Sequence, residues 1–461
     1  GCFQLRVTVV VAGGLPLRRT ITAAIVRDLG QGAAGGFGWS IQRTASVGPK
    51  ELLKLLPPAG IGWVKYPIWY AGDDTEKADE LAWFSERLGN RHIHLVGVLD
   101  RPPKLQAKAI FGDREDLPSA FVFSDPDMWA TLVNPIVTRM SQKIRYWQLG
   151  SDGDFSYVGL PAIDKTIHAV RDHMGRFGQD VEIGVPWRWI ASKPNTPHGP
   201  MSFYSNVGSP PLTANELIHY LSAEPTGRET QWVMLSPWPA EKYDLDTRIR
   251  DLLLRMIASK VGKASVTFIA KPYDDSVGVM RSDGAPGELF LPWRTGTLVL
   301  GDSEYLGSMQ FPNGSNNRVF ASADRAVIAI WNDQPTEEII YLGDVEDVQV
   351  VDVWGRIVRP ESQVVDGVVR QRIKVDRLPV FVINANLPIA KWRLNCSLDR
   401  TRLKSKFGWQ QTVRLRFGNY FGQGVSGKLA LKTPNVWSVS PQEVRFKSST
   451  DEHKDIPIDV F

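Results

Sequence analysis

From residue 37 to residue 273 short apolar runs alternate with helical periods, and that alternation leaves few folds open. "FGWSI" reads as a strand and "VGPKELLKLLPPAG" as the helix after it. "GWVKYPIWY" is a second strand, followed by "DTEKADELAWFSERLGN", whose Asp-Thr start and apolar spacing suit an amphipathic helix. "HIHLVGVLD" and "IRYWQLG" are the third and fourth strands, separated by "DPDMWATLVNPIVTRMSQK". "VEIGVPW", "TQWVMLSPW" and "SVTFIAKPYD" continue the series, with helices "AIDKTIHAVRDHMGRFG", "TANELIHYLSA" and "DTRIRDLLLRMIASKVG" between them. Seven strand-then-helix units imply parallel strands joined by crossover helices, and the count fits a (β/α)8 barrel better than a doubly wound sheet. No Gly-rich phosphate fingerprint follows the first strand, which argues against a dinucleotide fold. An eighth unit is expected from a strand near "VGVMR" and a closing helix in "PWRTGTLVLGDSEYLGSM".

The rest of the chain reads differently. Residues 1–33 form an N-terminal β segment, two strands around a Gly-Gly-Leu-Pro turn, and a Gly-rich linker, "GQGAAGGFG", follows. The barrel is expected over residues 34–308. Over residues 309–386 the helical signal is gone, and alternating strands such as "RVFASADRAVIAIWND" and "QRIKVDRLPVFVINA" suit a small β-sandwich. Residues 387–461 read as a second all-β sandwich. The class is therefore α/β multidomain: a TIM barrel followed by two small all-β sandwiches.

Composition narrows the partners. With 54 basic against 50 acidic residues the net charge is only +4, and no Lys/Arg cluster interleaves with aromatics, so nucleic acid is not an expected partner. No apolar run is long enough to span a membrane. The two cysteines, Cys2 and Cys396, stand far apart, and a disulfide between them has no further support. The 16 Trp are the outlying count: they suit core filling, and equally the flat C–H faces of sugars.

In such a barrel the chemistry gathers where strands end. The second expected strand ends in Lys65, Trp69 and Tyr70, and the fourth in Ser151, Asp152 and Asp154. The fifth ends in Trp187 and Arg188, the sixth in Trp238 and Glu241, and the seventh in Lys271, Asp274 and Asp275. Acids, bases and Trp at one rim suit an oxygen-rich ligand with apolar faces, and a carbohydrate answers that description. His92 and His94 alternate on the third strand and face one side, but as mid-strand residues they suit core positions better than metal ligands, and no other His has ligand spacing. No metal and no cofactor is expected.

The stretch "YWQLGSDGD" resembles the fourth-strand motif of the clan A glycoside hydrolases, a large group of (β/α)8 enzymes whose strand ends in Gly-Asn-Glu with the Glu as general acid/base. Gly150 matches, Ser151 stands in place of the Asn, and Asp152 in place of the Glu. "GVMRSDGAPGELFLPWRT" is similar to the eighth-unit segment of that clan, and "LPVFVINA" to the end of the β-sandwich that often follows. Residues 387–461 resemble the NEW3 sandwich that accompanies carbohydrate-active domains. The resemblance also implies a Glu nucleophile at the end of strand seven, where "FIAKPYDD" supplies Lys271 or Asp274 instead. Aspartate is one methylene shorter than glutamate, so two such replacements widen the gap between acids toward inverting geometry.

Two functions follow. One is a glycoside hydrolase with shifted acids, slightly favoured, with Asp152 as proton donor, Asp274 as its partner and Glu241 as substitute for either. Lys65, Trp69, Tyr70, Asp154, Trp187, Arg188, Trp238 and Lys271 would then bind sugar. The other is a catalytically inactive barrel that binds carbohydrate or serves as a cell-surface structural protein. Low Cys, abundant Trp and the sandwiches together suit a secreted or cell-envelope location.

Overall fold

The computed structural model describes residues 1–461 except 1, 11–13, 28, 34, 115–116, 179, 195–198, 209, 224–228, 366, 401, 405–408, 432 and 434–436, together with the side chains of residues 2, 4 and 18–20. The chain divides into two compact units, residues 1–302 with 353–355, and residues 303–352 with 356–461.

The first unit holds a closed barrel of eight parallel strands. In chain order these are Phe37–Ser40, Trp63–Pro67, His94–Leu99, Tyr146–Leu149, Glu182–Arg188, Phe203–Val207, Thr230–Leu235 and Val266–Ala270. Two expectations need correction. The sixth strand, "FYSNV", was not anticipated, because among the described residues no helix separates it from the fifth, and the sequence between them carries three Pro rather than a helical period. Every later strand therefore moves up by one, and "TQWVML" is the seventh and "VTFIA" the eighth. "VGVMR" is not a strand: only Met280 makes isolated bridges, to Tyr273 and Pro286. The closing helix is Phe290–Leu300, and Glu304–Gly307 is already a strand of the second unit.

Local signals set the crossover helices. Asp74 accepts from the Lys77 amide ahead of Thr75–Gly89, and Thr213 with Glu216 forms a capping box on Ala214–Ser222. The barrel's lower interior is aromatic. Trp63, Tyr146, Phe203 and Trp232 converge there, with Phe203 stacked on Trp232 at 3.6 Å between centroids and Trp63 at 5.7 Å from Trp232. His94 opens its strand and stacks on Trp63 at 4.3 Å, while His92 lies in the preceding turn with φ of 55°. Ahead of the barrel, Cys2–Val9 pairs antiparallel with Leu17–Ala24; the Gly13 end of the turn lies outside the described residues.

The second unit contains a six-stranded and a three-stranded antiparallel sheet around Ile328, Ile330, Ile340, Ile373 and Val382. After the helix Leu387–Asn395, which an all-β reading of residues 387–461 did not anticipate, a four-stranded and a two-stranded sheet enclose Val413, Phe417, Val444 and Ile458. Cys396 is a free thiol, and the Cys2 side chain lies outside the described residues. No described helix is long and apolar enough to cross a membrane.

Trp232 is the centre of the aromatic layer, so Trp232→Ala is expected to lower unfolding free energy by about 3–5 kcal/mol. Urea unfolding followed by circular dichroism checks this; a loss below about 1 kcal/mol would mean that the layer does not hold the barrel.

Candidate functional site

Side chains two residues apart on a strand share a face, so the residues that follow the aromatic layer also point into the barrel. They are Lys65, Gln148, Ser205 and Met234 on strands two, four, six and seven. Lys65 is fully buried. Its ammonium donates to Gln148 Oε1 at 2.8 Å, Ser205 Oγ at 2.6 Å and Asp152 Oδ1 at 2.8 Å, touches Met234 Sδ at 3.2 Å, and lies 4.7 Å from the centre of the Phe268 ring. Asp152, just past strand four, closes this cluster on the side of the strands' C-terminal ends. Its Oδ2 accepts from Ser40 Oγ at 2.5 Å, and its Oδ1 also accepts from Gln148 Nε2 at 3.1 Å. The Asp152 side chain keeps 22% of its surface open to solvent, so the pair is buried at the lysine end and reachable at the carboxylate end.

The charges decide what this carboxylate can do. Burial pushes the Asp152 carboxyl up, but the Lys65 charge and the hydrogen bonds from Lys65, Ser40 and Gln148 together outweigh it and hold the group below the usual carboxylate range. Asp152 is thus a fixed anion, suited to receiving hydrogen bonds from hydroxyls or stabilising a developing positive charge. A proton donor needs the opposite shift.

The loop after strand four is built around Gly150, whose φ of +88° and approach to Ser119 leave no room for a side chain: an added Cβ would sit 2.5 Å from Ser119 Oγ. Asp154 fastens the loop, accepting from the Ser119 amide at 2.7 Å and the Ser156 amide at 3.0 Å. Burial raises its carboxyl, and the bonds from Ser119 and Ser156 bring it below the usual range. Beside it opens a cleft of about 500 Å³ lined by Asp100, Arg101, Ser151, Asp154, Phe155 and Arg188. The Arg188 guanidinium lies 4.5 Å from the Phe155 ring centre, and Asp100 is paired with Arg43 at 2.5 Å.

The other expected residues separate into two groups. Trp69, Tyr70 and Trp187 are buried rather than on the rim: Trp69 packs on Phe123, the Tyr70 hydroxyl donates to Pro135 O, and the Trp187 indole donates to Ala191 O. They offer no open face to a ligand. Trp238 and Glu241 follow strand seven, not six, and Lys271 and Asp274 follow strand eight, not seven. Glu241 is exposed and accepts from Ser276 Oγ at 2.6 Å, a bond that lowers its carboxyl below the usual range. Asp274 accepts from the Ser276 and Val277 amides, and Arg248 donates to the carbonyls of Trp238 and Ser276. These contacts brace the two loops against each other, and no hydrogen bond joins Glu241 or Asp274 to Asp152 among the described residues. Lys271 is exposed in a left-handed conformation with φ of 51°. With the strands renumbered, the strand-seven position where the resemblance implies a Glu reads Met234-Leu235-Ser236-Pro237-Trp238 and contains none.

Ser40, Gln148, Ser205 and Met234 were missed. Gln148 carried a visible signal, a polar residue inside the apolar run "YWQLG" with the inward register of Lys65 in "WVKYP". Ser205 lies in the strand that was not anticipated.

No family model matches the chain, and no curated protein matches it. Solved structures do share its fold. A family 39 glycoside hydrolase from Bacteroides cellulosilyticus aligns with a TM-score of 0.58 at 12% identity, over 83% of this chain and 88% of that one. A family 30 endoxylanase from Clostridium papyrosolvens aligns with 0.54 at 12% identity, over 78% and 98%. A family 30 subfamily 8 xylanase from Clostridium acetobutylicum gives 0.52 at 13% identity, over 77% and 97%. At such identities the likeness is one of fold: a (β/α)8 barrel with β-sheet units, as in these glycoside hydrolases.

Removing one member of the Lys65–Asp152 pair leaves a buried charge alone. Asp152→Ala is expected to cost about 3 kcal/mol at pH 7, the lower end for a broken buried pair because the carboxylate is partly open, and Lys65→Met in the same chain should recover much of it. Asp152 has a lowered folded pKa, so its contribution is present above the unfolded value of about 3.9 and is lost as pH falls through the folded value. Denaturant unfolding across pH should therefore show the gap between wild type and Asp152→Ala narrowing below about pH 4. A gap constant with pH would contradict the pairing.

Proposed function

We propose that the chain is a carbohydrate-active protein that recognises a glycan at the mouth of its barrel, around Asp152 and the cleft of Asp154, Phe155 and Arg188. The observation that carries this reading is a fixed, partly open carboxylate at the end of strand four, set beside a polar cleft on a barrel whose fold glycoside hydrolases share. Asp152 and Ser151 can accept sugar hydroxyls, Arg188 can donate to ring or glycosidic oxygens, and Phe155 contributes an apolar face.

Recognition fits this geometry better than hydrolysis. Glycosidases of the resembled clan pair a proton donor of raised pKa with a second carboxylate across the scissile bond. Here Asp152, Asp154 and Glu241 are all shifted downward, and Glu241 and Asp274 are occupied in loop contacts. The hydrolytic reading keeps one observation in its favour, the place of Asp152 at the strand-four end. On that reading residues 387–461, whose sequence resembles a NEW3 sandwich, would act as an accessory unit, and a secreted or cell-envelope location suits a glycan ligand.

A panel of soluble polysaccharides and aryl glycosides, assayed for binding and for reducing-end release, separates these readings. Binding without turnover that weakens at least tenfold in Arg188→Ala is the expected result. Turnover abolished by Asp152→Asn would instead make the protein a glycosidase, and no binding to any member would end the carbohydrate reading.

A further inference from the structure

The outer wall of the barrel is unusual at strands six and seven. Outward-facing strand residues in a (β/α)8 barrel normally meet the apolar side of a helix, but between strands five and six no described segment is helical. In its place the residues 189–194 run along the wall, and the strand residues beneath them are polar. Asn206 is completely buried, and its amide donates to Gln231 Oε1 at 2.9 Å and to the carbonyls of Tyr204 and Trp232. The Tyr220 hydroxyl donates to Asn206 Oδ1 at 2.9 Å, and Lys193 donates to the same Gln231 Oε1. Lys193 sits between two rings, 5.4 Å from the centre of Tyr204 and 4.9 Å from that of Tyr220, and Trp189 meets Tyr220 edge-on at 5.0 Å.

Trp189, Lys193, Tyr220 and Gln231 line a half-open cavity of about 810 Å³, which shares no lining residue with the cleft beside Asp154. No described carboxylate forms an ion pair with Lys193. The ammonium is left with two protons beyond the one given to Gln231, in a cavity whose walls combine aromatic rings with Ser192, Glu229 and Thr230. A pyranose face stacks on such aromatics, and a cation beside them that forms no ion pair with a described carboxylate favours a ligand that brings its own negative charge.

We propose that this cavity is a second carbohydrate-binding site, selective for acidic sugars, in which Lys193 holds the anionic group, Trp189 and Tyr220 supply the stacking surface, and the Asn206–Gln231 network fixes both. The proposal rests on the carbohydrate-active reading for its class of ligand and is independent of whether the barrel mouth binds or cleaves.

The titration of Lys193 gives the site a signature. Burial lowers its amine to about 8, opposed by the charge of Glu229. Among the described residues the other titratable groups near Lys193 are Tyr204 and Tyr220, both raised by burial, with Tyr220 at about 12, and Lys263 in the cavity wall. The tyrosines stay neutral where Lys193 changes charge. A carboxylate ligand prefers the protonated amine, so affinity is full below about pH 8 and falls as pH rises past it, approaching tenfold per unit.

Titration calorimetry with tri-galacturonic acid, and with galactotriose as the neutral match, tests this on the full chain. The expected result is binding of the acidic trisaccharide at least tenfold tighter than the neutral one, weakening above pH 8. Lys193→Met should remove the preference and the pH dependence, and Trp189→Ala should weaken binding tenfold. Thermal unfolding of each variant establishes that it is folded. Equal binding of the two trisaccharides, or acidic binding indifferent to Lys193→Met, overturns the proposal while leaving the barrel-mouth reading intact. Absence of acidic binding overturns it as well, and polysaccharide binding at the mouth is then judged by its own panel.

Discussion

One interaction governs the upper half of the barrel: the Lys65 ammonium, taken out of water and held by Asp152, Gln148 and Ser205. Burying an isolated ammonium is costly enough that the group would rather lose its proton than stay charged alone. Here the residues that follow the aromatic layer on strands two, four and six are arranged to keep it satisfied, and the loop after strand four must deliver Asp152 at one position. Gly150 and the Asp154 clamp on Ser119 and Ser156 are the local devices that do so. The charge inside the barrel thus determines the shape of the loop at its mouth.

The same arrangement explains where the tryptophans went. Trp232 and Trp63 fill the barrel's lower layer, Trp147 turns outward under the helices with its indole bonded to Ile144 O, and Trp129 and Trp293 lie in the helical shell. A barrel with a polar centre has less apolar interior from which to gain stability, and large aromatics below the polar layer replace area that aliphatic side chains would otherwise bury. Burial of these tryptophans therefore marks a packing requirement, while the cleft beside Asp154 is lined mainly by Asp100, Arg101, Ser151 and Arg188, with Phe155 as its aromatic face.

Much of the architecture was legible because it rests on periodicity. Seven of the eight strands and most crossover helices announce themselves through apolar spacing and caps such as Asp74 and Thr213. The sixth strand did not, since strand-then-helix alternation is the signal used and this strand follows its predecessor without a described helix. Without that strand the later ones are numbered one too low, and the expected strand-seven acid falls on the loop after strand eight. At the site, Asp152 and Lys65 were visible as polar residues at strand ends. Their bond to each other was not, because it joins positions 87 residues apart and depends on barrel closure. Burial of Trp69, Tyr70 and Trp187 was hidden for a related reason: a residue's place past a strand end says which face of the barrel it nears, but not whether neighbouring loops cover it.

The pairing also bears on what the mouth can do with a sugar. An aspartate held ionised by a buried lysine presents lone pairs at Oδ2 and no proton, and its position is fixed by three side chains before any ligand arrives. Preorganised acceptors of this kind bind hydroxyl donors with little reorganisation. Giving such a group a proton to donate would strip Lys65 of its counter-charge inside the barrel, so acid catalysis there would have to work against the interaction that holds the strand-four loop in place. A recognition role makes no such demand, because the hydrogen bonds that fix the carboxylate and those it would offer a sugar draw on the same ionised state.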